Sequence, residues 1–398
     1  MPELFLTIFF ISILLFFLGT GVWVAISMIS VSAIGMMLFT SRPVGDAMAT
    51  TIWGTASSWT LTALPLFVWM GEILFRTKLS KNLFEGLSPW MQKLPGGLIH
   101  VNVVGCALFA AISGSSAATV ATVGKMSIPE LRKRKYPEKI LLGSLAGSGT
   151  LGLLIPPSII LIIYGVTVQE SIAKLFIAGI LPGIMIAAIF MLYVVFWSLL
   201  NKKVMPKSFE NFSFFQKIKK SKQLLPVIIL ILAVIGSIYT GIATATEAAS
   251  LGVVGALVLS YFQKSLNLKT FKESLLGATK TSCMIAFILA GSTFLSLAMG
   301  FTGLPRNLAI WIQNMDLSPY ILIFVLMIFY IILGMFLDGI SAVVLTMAII
   351  EPMIRQAGFD MIWFGIFLVV VVEMAQITPP VGFNLFVLQG MANKDMGF

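Results

Sequence analysis

The sequence predicts an all-α polytopic membrane protein built from two inverted repeats, each with a re-entrant hairpin and a broken helix. A mean hydropathy of +1.01, with 58% hydrophobic and only 11% charged residues, excludes an ordinary soluble domain. Apolar runs long enough to span a bilayer, about 20 residues each, recur along the whole chain. An interrupted apolar pattern also occurs twice, once in each half.

The interrupted pattern combines a run of small residues with an apolar stretch that glycine and proline break. Ser115 and Pro156 mark the first copy, and Ser341 and Pro379 stand at the corresponding places in the second. Lipid cannot satisfy the free backbone groups of a broken helix, so such breaks persist only where protein or a wet cavity surrounds them. Matching breaks in two halves indicate the binding site of a transporter. The four segments are 105–124, 147–165, 333–349 and 373–390.

Basic residues fix the expected orientation. The 26 lysines and arginines contribute to a net charge of +10, and most of them fall into a few clusters between apolar segments. Since basic loops stay cytoplasmic, we assign these clusters to the inner side of the membrane. The charge is therefore explained by topology and does not indicate a nucleic-acid partner. The clusters lie at 76–93, 125–139, 202–222 and 264–280 and at Lys394.

The first repeat, 1–200, follows from this orientation. The chain leaves the cytoplasm near Val101 and is back there by Ile128, an interval too short for two spans, so we expect a re-entrant hairpin with its tip at 113–117. A broken helix then bends at 148–157. The predicted segments are helices at 4–18, 21–40 and 60–75, an external stretch at 42–58, an interfacial arm at 78–96, the hairpin, a helix broken between 140–147 and 158–168, and a helix at 174–200.

The second repeat, 224–398, follows a basic cytoplasmic linker at 201–223. Its hairpin enters from outside, with the tip at 338–342, and its broken helix bends at 376–382. It lacks the extra helix that follows the first broken helix, which leaves a truncated C terminus and an imperfect repeat as alternatives. The predicted segments are helices at 225–239 and 248–262, a cytoplasmic amphipathic stretch at 263–280, a helix at 282–299, an external arm at 303–316, the hairpin, an external stretch at 351–361, and a helix broken between 363–374 and 383–391.

The first hairpin tip and the first bend supply a set of oxygen ligands. The tip carries the hydroxyls of Ser113, Ser115, Ser116 and Thr119, and Gly114 permits an unusual backbone conformation. Prolines in the bend free backbone carbonyls, and carbonyls with hydroxyls suit a hard monovalent cation such as sodium. Alternatively, the small residues only let helices pack closely; the repetition favours an ion or substrate site. The bend residues are Ser148, Gly149, Thr150, Pro156, Pro157 and Ser158.

The same logic predicts a second site at the other tip and bend, with a carboxylate and one hydroxyl in place of the serine cluster. Buried carboxylates in membranes are costly and usually functional. Asp338 either binds a cation or holds the tip by accepting backbone N–H bonds, and both roles are open. The residues are Asp338, Gly339 and Ser341 at the tip and Thr378, Pro379, Pro380 and Asn384 at the bend.

Other polar residues and motifs suggest no catalysis. Thr244 and Glu247 have the spacing of a helix capping box, while Glu72 and Glu373 are deeper candidates for a role in the membrane. There is no Walker loop, no histidine cluster and no H-E-x-x-H motif. We therefore expect neither an enzyme nor a cofactor, and no ATP hydrolysis by this chain.

Several segments resemble the large, DctM-like membrane subunit of tripartite ATP-independent periplasmic (TRAP) transporters. They are ALPLFVWMGEIL, SGSSAATVATVG, IPPSIILIIYG, GIATATEAAS and QITPPVGFNLFVLQG. The resemblance covers nearly the full length, although the family's usual final transmembrane helix has no counterpart here. It implies a multi-pass protein of the bacterial inner membrane that imports a small organic anion, of the sialic acid or C4-dicarboxylate class, with Na+ as the coupling ion.

The resemblance also implies partners and a mechanism. A periplasmic substrate-binding protein would deliver the anion, a small four-helix TRAP membrane subunit would be a separate chain, and membrane lipids would surround both. In an elevator-type ion-transporter fold, a transport domain at 97–168 plus 320–392 would move against a scaffold of the remaining helices. Family sodium sites map onto 113–116 with 149–157 and onto 339–341 with 378–380. The anion would lie between the tips, with Ser116, Thr119, Ser158, Ser341 and Asn384 as substrate-binding residues.

Two other hypotheses fit the sequence. A stand-alone sodium–dicarboxylate symporter would share the repeat but need no periplasmic partner, and loss of transport on omitting the binding protein distinguishes the two. A channel or a structural membrane subunit is the other hypothesis, which saturable, gradient-driven accumulation would exclude.

Overall fold

The computed structural model describes residues 2–77, 79–206, 212–222, 224–303, 318–379 and 382–392. Every regular element in these ranges is a helix, which confirms the predicted all-α class. Pro380 and all of the predicted external arm except Gly303 lie outside the described residues.

In the first half, helices form where apolar and small residues run without interruption. The chain breaks at Gly114 and Ser115, inside the predicted hairpin, and again between Gly149 and Ile159, inside the predicted broken helix. The helices are α1 (Pro2–Gly19), α2 (Val24–Phe39), α3 (Val44–Ala56), α4 (Ala63–Phe75), α5 (Leu79–Met91), α6 (Ile99–Ser113), α7 (Ser116–Lys133), α8 (Glu138–Gly149), α9 (Ile159–Thr167) and α10 (Ile172–Leu200). Short 3-10 helices at Trp59–Thr62 and Thr150–Leu153 precede α4 and follow α8.

In the second half the helices are interrupted between Gly334 and Gly339, which overlaps the predicted tip at 338–342 only at Asp338, and between Ala375 and Phe383, at the predicted bend. The helix at the bend ends where three turn residues and a proline follow it. The helices are α11 (Phe214–Ser221), α12 (Leu225–Tyr239), α13 (Ala245–Phe262), α14 (Leu268–Thr302), α15 (Pro319–Gly334), α16 (Gly339–Gln356), α17 (Met361–Ala375) and α18 (Phe383–Ala392).

The separation predicted between an amphipathic stretch at 263–280 and a helix at 282–299 is wrong, because α14 covers both with 35 residues. No proline interrupts this sequence, and Asn267 and Thr270 form a capping box at its start. The arm of the first half, α5, instead precedes a Pro-Gly-Gly sequence in which Gly96 and Gly97 have φ of +102° and +54°. Such backbone needs glycine and cannot continue a helix.

The described residues form a multi-pass membrane protein. Four of their helices, α10, α13, α14 and α16, are long and apolar enough to cross a bilayer. Two bent helix pairs would each add one span if the pair is counted as a single segment. They are α3 with the segment Trp59–Phe75, and α11 with α12. The external stretch predicted at 42–58 is thus largely helical.

Both predicted hairpins fold back on themselves. In the first, the Val123 side chain of α7 lies 3.6 Å from the position of a β-carbon built on Gly105 of α6. In the second, Tyr330 Oη of α15 lies 2.6 Å from Thr346 Oγ1 of α16, and the two residues are equally far from Asp338 along the chain. Helices α6 to α9 and α15 to α18 pack together, and α2, α4, α12, α13 and α14 form a neighbouring group.

Candidate functional site

The first tip is a two-residue break between α6 and α7. Gly114 has φ of +59°, and a β-carbon there would lie 2.7 Å from the Pro157 carbonyl oxygen, so the position requires glycine. Ser113 Oγ lies 2.9 Å from Thr119 Oγ1 and 3.3 Å from the Ser115 carbonyl oxygen. Thr119 Oγ1 donates to the same carbonyl at 2.7 Å. The hydroxyls therefore converge on one backbone oxygen at the break.

The first bend is hydrogen-bonded to this tip. The Ile159 amide donates to the Gly114 carbonyl oxygen at 3.2 Å. Ser158 caps α9, because its hydroxyl accepts from the Leu161 amide at 3.3 Å and donates to the Leu153 carbonyl. The Ser158 side chain is therefore used to shape the bend.

Glycine at the bend allows the tip to approach closely. A β-carbon on Gly152 would lie 2.6 Å from the Ser115 carbonyl oxygen and 2.8 Å from Thr119 Oγ1. A β-carbon on Gly149 would overlap the Val120 side chain. Backbone oxygens and hydroxyls from two elements thus lie within one small volume, which is the arrangement that a cation site needs.

The second tip is organised by a carboxylate. Asp338 is the N-cap of α16, and its Oδ2 accepts from the amides of Ile340 and Ser341 at 3.1 Å each. One of the two roles considered for Asp338, holding the tip by accepting hydrogen bonds from backbone N–H groups, is therefore confirmed. The first tip differs, because Ser115 at the N-cap of α7 makes no side-chain capping bond.

The second bend contacts the first tip across the two halves. Gln376, which is 2% exposed, accepts a hydrogen bond from Ser116 Oγ at 2.7 Å through its side-chain oxygen. The backbone carbonyl of Gln376 accepts from the backbone N–H of Asn384 at 3.2 Å. The Thr378 hydroxyl is used within its own helix end, where it donates to the Met374 carbonyl at 2.6 Å. Gln376 therefore joins elements that are far apart in sequence.

Two buried polar side chains flank this bend with unused hydrogen-bonding capacity. Within the described residues, Glu373 Oε1 and the side-chain amide atoms Oδ1 and Nδ2 of Asn384 have no hydrogen-bond partner. The two residues are 4% and 0% exposed. Buried polar groups without partners are costly and rare, so these atoms are candidate ligands for an ion, a water molecule or a polar group of a substrate.

A cavity of about 680 Å³ opens onto both tips. This lies within the range of about 300–1,000 Å³ that is typical of ligand pockets. Ser115, Ser116, Asp338 and Gln376 line one side, and Glu72 with apolar residues of α4 and α14 lines the other. Among the described lining residues there is no lysine, arginine or histidine.

The predicted site residues divide into four groups. Pro156 does not reach the cavity and lies beside Phe176 and Val234 in a separate small apolar cleft. Pro380 lies outside the described residues. Six line the cavity: Ser113, Gly114, Ser115, Ser116, Asp338 and Gly339. The others are not in its lining: Thr119, Gly149, Thr150, Ser158, Ser341, Thr378, Pro379 and Asn384.

The sequence analysis did not single out Gln376 as a site residue, and of the opposite wall it named only Glu72; other wall residues, such as Thr281 and Met284, were missed. Gln376 could have been found as a polar residue at a helix break, whereas those other wall residues carry no distinctive pattern. In the described part of the chain, no group of three or more His, Cys, Asp or Glu residues could hold a metal ion. The oxygens at the first tip are hydroxyls and carbonyls, and the second tip adds the Asp338 carboxylate.

Sequence comparisons identify relatives over almost the whole chain. A family model described as "Tripartite ATP-independent periplasmic transporter, DctM component" matches residues 11–397. The C4-dicarboxylate TRAP transporter large permease protein DctM of Pseudomonas aeruginosa is 32% identical, over 92% of this chain and 85% of that protein. The 2,3-diketo-L-gulonate TRAP transporter large permease protein YiaN of Escherichia coli is 33% identical, over 87% and 81%.

One further relative and one solved structure extend these comparisons. The isethionate TRAP transporter permease protein DctMQ of Oleidesulfovibrio alaskensis is 31% identical, over 95% of this chain and 59% of that protein. Among solved structures, the YdaH transporter of Alcanivorax borkumensis aligns with a TM-score of 0.65 at 12% identity, over 97% of this chain and 92% of the other. This last similarity concerns the fold alone.

Proposed function

We propose a transport cycle for this chain from the premise that it belongs to the DctM component family of the tripartite ATP-independent periplasmic transporters. Membership makes it a transporter subunit and not an enzyme. In our proposal it resides in a bacterial inner membrane and imports a small organic acid anion, coupled to Na+, by an elevator movement. A periplasmic substrate-binding protein and a small four-helix membrane subunit complete the system.

The observation that carries the proposal is the uncapped start of α7 at the cavity. The first amides of a helix have no partner within the helix and carry partial positive charge, which favours an anion. Ser116, Ala117 and Ala118 line the cavity at this point, and Ser115 supplies no capping bond. We assign the carboxylate of the cargo to these amides, with the Ser116 hydroxyl beside it.

Sodium would bind next to this anion. The Ser115 carbonyl and the hydroxyls of Ser113 and Thr119 already lie together, and hard cations prefer such oxygen ligands. The second sodium would use Asp338, Gly339 and Ser341 with the carbonyls of 378–380. Because the cavity wall supplies no cationic side chain among its described residues, a bound Na+ would also offset the charge of the cargo.

An elevator movement needs a body that moves as a unit. The Ser116–Gln376 bond joins the first tip to the second bend. On the opposite end of α16, Arg355 Nη2 donates to the Val168 carbonyl at 3.0 Å. Both contacts support a transport domain that includes parts of both halves, at 97–168 and 320–392. The wall of α4 and α14 would belong to the scaffold.

Uptake in proteoliposomes tests the proposal. The chain would be reconstituted with its small membrane subunit, and the substrate-binding protein would be added outside with labelled organic acid. We expect saturable accumulation driven by an inward Na+ gradient. Equal uptake with K+ in place of Na+ would contradict the coupling, and full uptake without the binding protein would favour a stand-alone symporter.

A further inference from the structure

A second cavity, of about 410 Å³, lies away from the hairpin tips. We call it the linker cavity. It is bounded by the arm α5, by the second half of α7, and by Phe212 and α11 at the end of the linker. Its apolar surface comes from Phe84, Met126 and Phe212, and its basic residues are Lys125, Arg134 and Lys220.

The linker cavity combines apolar and cationic groups. Lys220 is half-buried, and its Nζ lies 4.2 Å from the centre of the Phe212 ring. Arg134 Nε donates to Glu130 Oε1 at 2.8 Å, so that carboxylate is already neutralised. Three cationic residues face two carboxylates in the lining, the second being Glu85. The lining is therefore net positive.

One wall of the cavity is fixed to the neighbouring helices. Trp90 Nε1 of the arm donates to Ser221 Oγ of α11 at 2.7 Å, and Lys217 Nζ lies 5.2 Å from the Trp90 ring centre. A β-carbon on Gly86 would lie 2.6 Å from the Leu224 side chain, so α5 also packs closely on the start of α12. The opposite wall is α7, which begins at the first tip.

We propose that the linker cavity binds the phosphate headgroup of an anionic phospholipid. The cavity lies in the most basic part of the chain, on the side predicted to face the cytoplasm. Basic pockets between helices on that side bind anionic headgroups, because the inner membrane surface supplies them at high local concentration. Phe84, Met126 and Phe212 provide an apolar surface for the glycerol and the first acyl carbons, which a free phosphate would not need.

A lipid in this cavity would contact the arm and the first hairpin at once. An effect of the lipid on uptake rests on the proposed function, in which α7 belongs to the moving domain and is displaced relative to α5. Binding itself does not depend on that proposal. A direct binding measurement therefore separates failure of the lipid site from failure of the transport mechanism.

The test is native mass spectrometry of the delipidated full-length chain, titrated with phosphatidylglycerol, phosphatidylcholine or soluble glycerol 3-phosphate. We expect phosphatidylglycerol to bind more tightly than the other two. The double variant Lys125→Gln with Lys220→Gln should weaken phosphatidylglycerol binding by roughly fivefold for each lysine, from about 1 kcal/mol per basic residue. Lys272→Gln, at an exposed lysine of α14 on the same predicted side, is the matched control and should bind normally.

Three results would overturn the proposal. Equal binding of phosphatidylglycerol and phosphatidylcholine would remove the headgroup preference, as would a double variant that matches Lys272→Gln. Saturable binding of glycerol 3-phosphate at the affinity of the lipid would assign the cavity to a soluble phosphate ester instead. Thermal unfolding in phosphatidylcholine checks that both variants are folded.

Discussion

Both hairpin tips lead into the following helix through an extended N-cap residue, but they differ in how that helix is capped. At the second tip, Asp338 places its own carboxylate on the amides of Ile340 and Ser341. At the first tip, Ser115 leaves the corresponding amides of α7 without a side-chain cap. A helix start that already holds a negative charge does not attract another anion, whereas an uncapped one does. This difference supports the proposal that the anion binds at the first tip and a cation at the second.

The tips also differ in what holds them in place. The first tip packs against the bend through its backbone, since a β-carbon on Gly152 would lie only 2.6 Å from the Ser115 carbonyl oxygen. The second is seated against side chains, since a β-carbon on Gly339 would meet Val372 Cγ1 at 2.8 Å and Gln376 Nε2 at 2.9 Å. Side chains can move aside more easily than backbone. We therefore expect the first tip to be the less tolerant of added volume.

The largest effect is expected from Gly152→Ala. Its new methyl group would collide with the Ser115 carbonyl and separate the tip from the bend, at about 1–3 kcal/mol of unfolding free energy, the usual cost of overpacking. Sodium-dependent uptake should fall strongly, because the same carbonyl is a proposed ligand. Thermal unfolding and the Na+ concentration for half-maximal uptake measure the two effects.

The matched controls for this prediction are Gly143→Ala and Gly339→Ala. Gly143 lies in α8 with nothing within 4 Å of its β-carbon position, so alanine should leave stability unchanged or raise it. Gly339→Ala should destabilise less than Gly152→Ala. An equal loss of unfolding free energy in Gly152→Ala and Gly339→Ala would contradict the difference between backbone packing at the first tip and side-chain packing at the second.

The next effect concerns the cap at the second tip. Asp338→Ala should lower the free energy of unfolding by about 0.5–2 kcal/mol, the usual cost of removing an N-cap. Asp338→Asn should retain most of the stability, because asparagine can also cap a helix. Ser115→Ala at the first tip should cost nothing of this kind. Uptake separates the two roles, because Asp338→Asn should raise the Na+ requirement if the negative charge helps to bind the cation. An unchanged requirement would leave Asp338 as a cap only.

The bond between the first tip and the second bend gives a smaller effect. In a double-mutant cycle of Ser116→Ala and Gln376→Met, we expect a coupling of about 0.5–1.5 kcal/mol, the net value of one hydrogen bond. Ser116→Ala combined with Thr378→Ala is the control, because Thr378 bonds only its own helix end at Met374. Thermal unfolding of the single and double variants measures both couplings. Equal couplings would show that Gln376 does not join the two halves.

The positions of both tips and both bends could be predicted because glycine, proline and serine punctuate otherwise apolar runs there. The capping box at Thr244 and Glu247 was also predictable from spacing and is confirmed by the Thr244 N–Glu247 Oε2 bond of 2.8 Å. Contacts between the halves were not, because the Ser116–Gln376 bond depends on how distant helices pack. The continuity of α14 was missed for a related reason: amphipathic and apolar segments carry different patterns even when one helix contains both.

The smallest effect is expected at the second hairpin, from Tyr330→Phe. The tyrosine hydroxyl lies 2.6 Å from Thr346 Oγ1, but Thr346 keeps its bond to the Ala342 carbonyl at 2.8 Å after the change. No buried group loses its last hydrogen-bond partner. The free energy of unfolding should therefore fall by only about 0.5 kcal/mol, near the lower end of what one hydrogen bond contributes. The hydroxyl lies two helical turns from Asp338, so the Na+ requirement for uptake should not change. A shift in that requirement as large as the one caused by Asp338→Asn would show that the whole hairpin, and not its tip alone, determines cation binding.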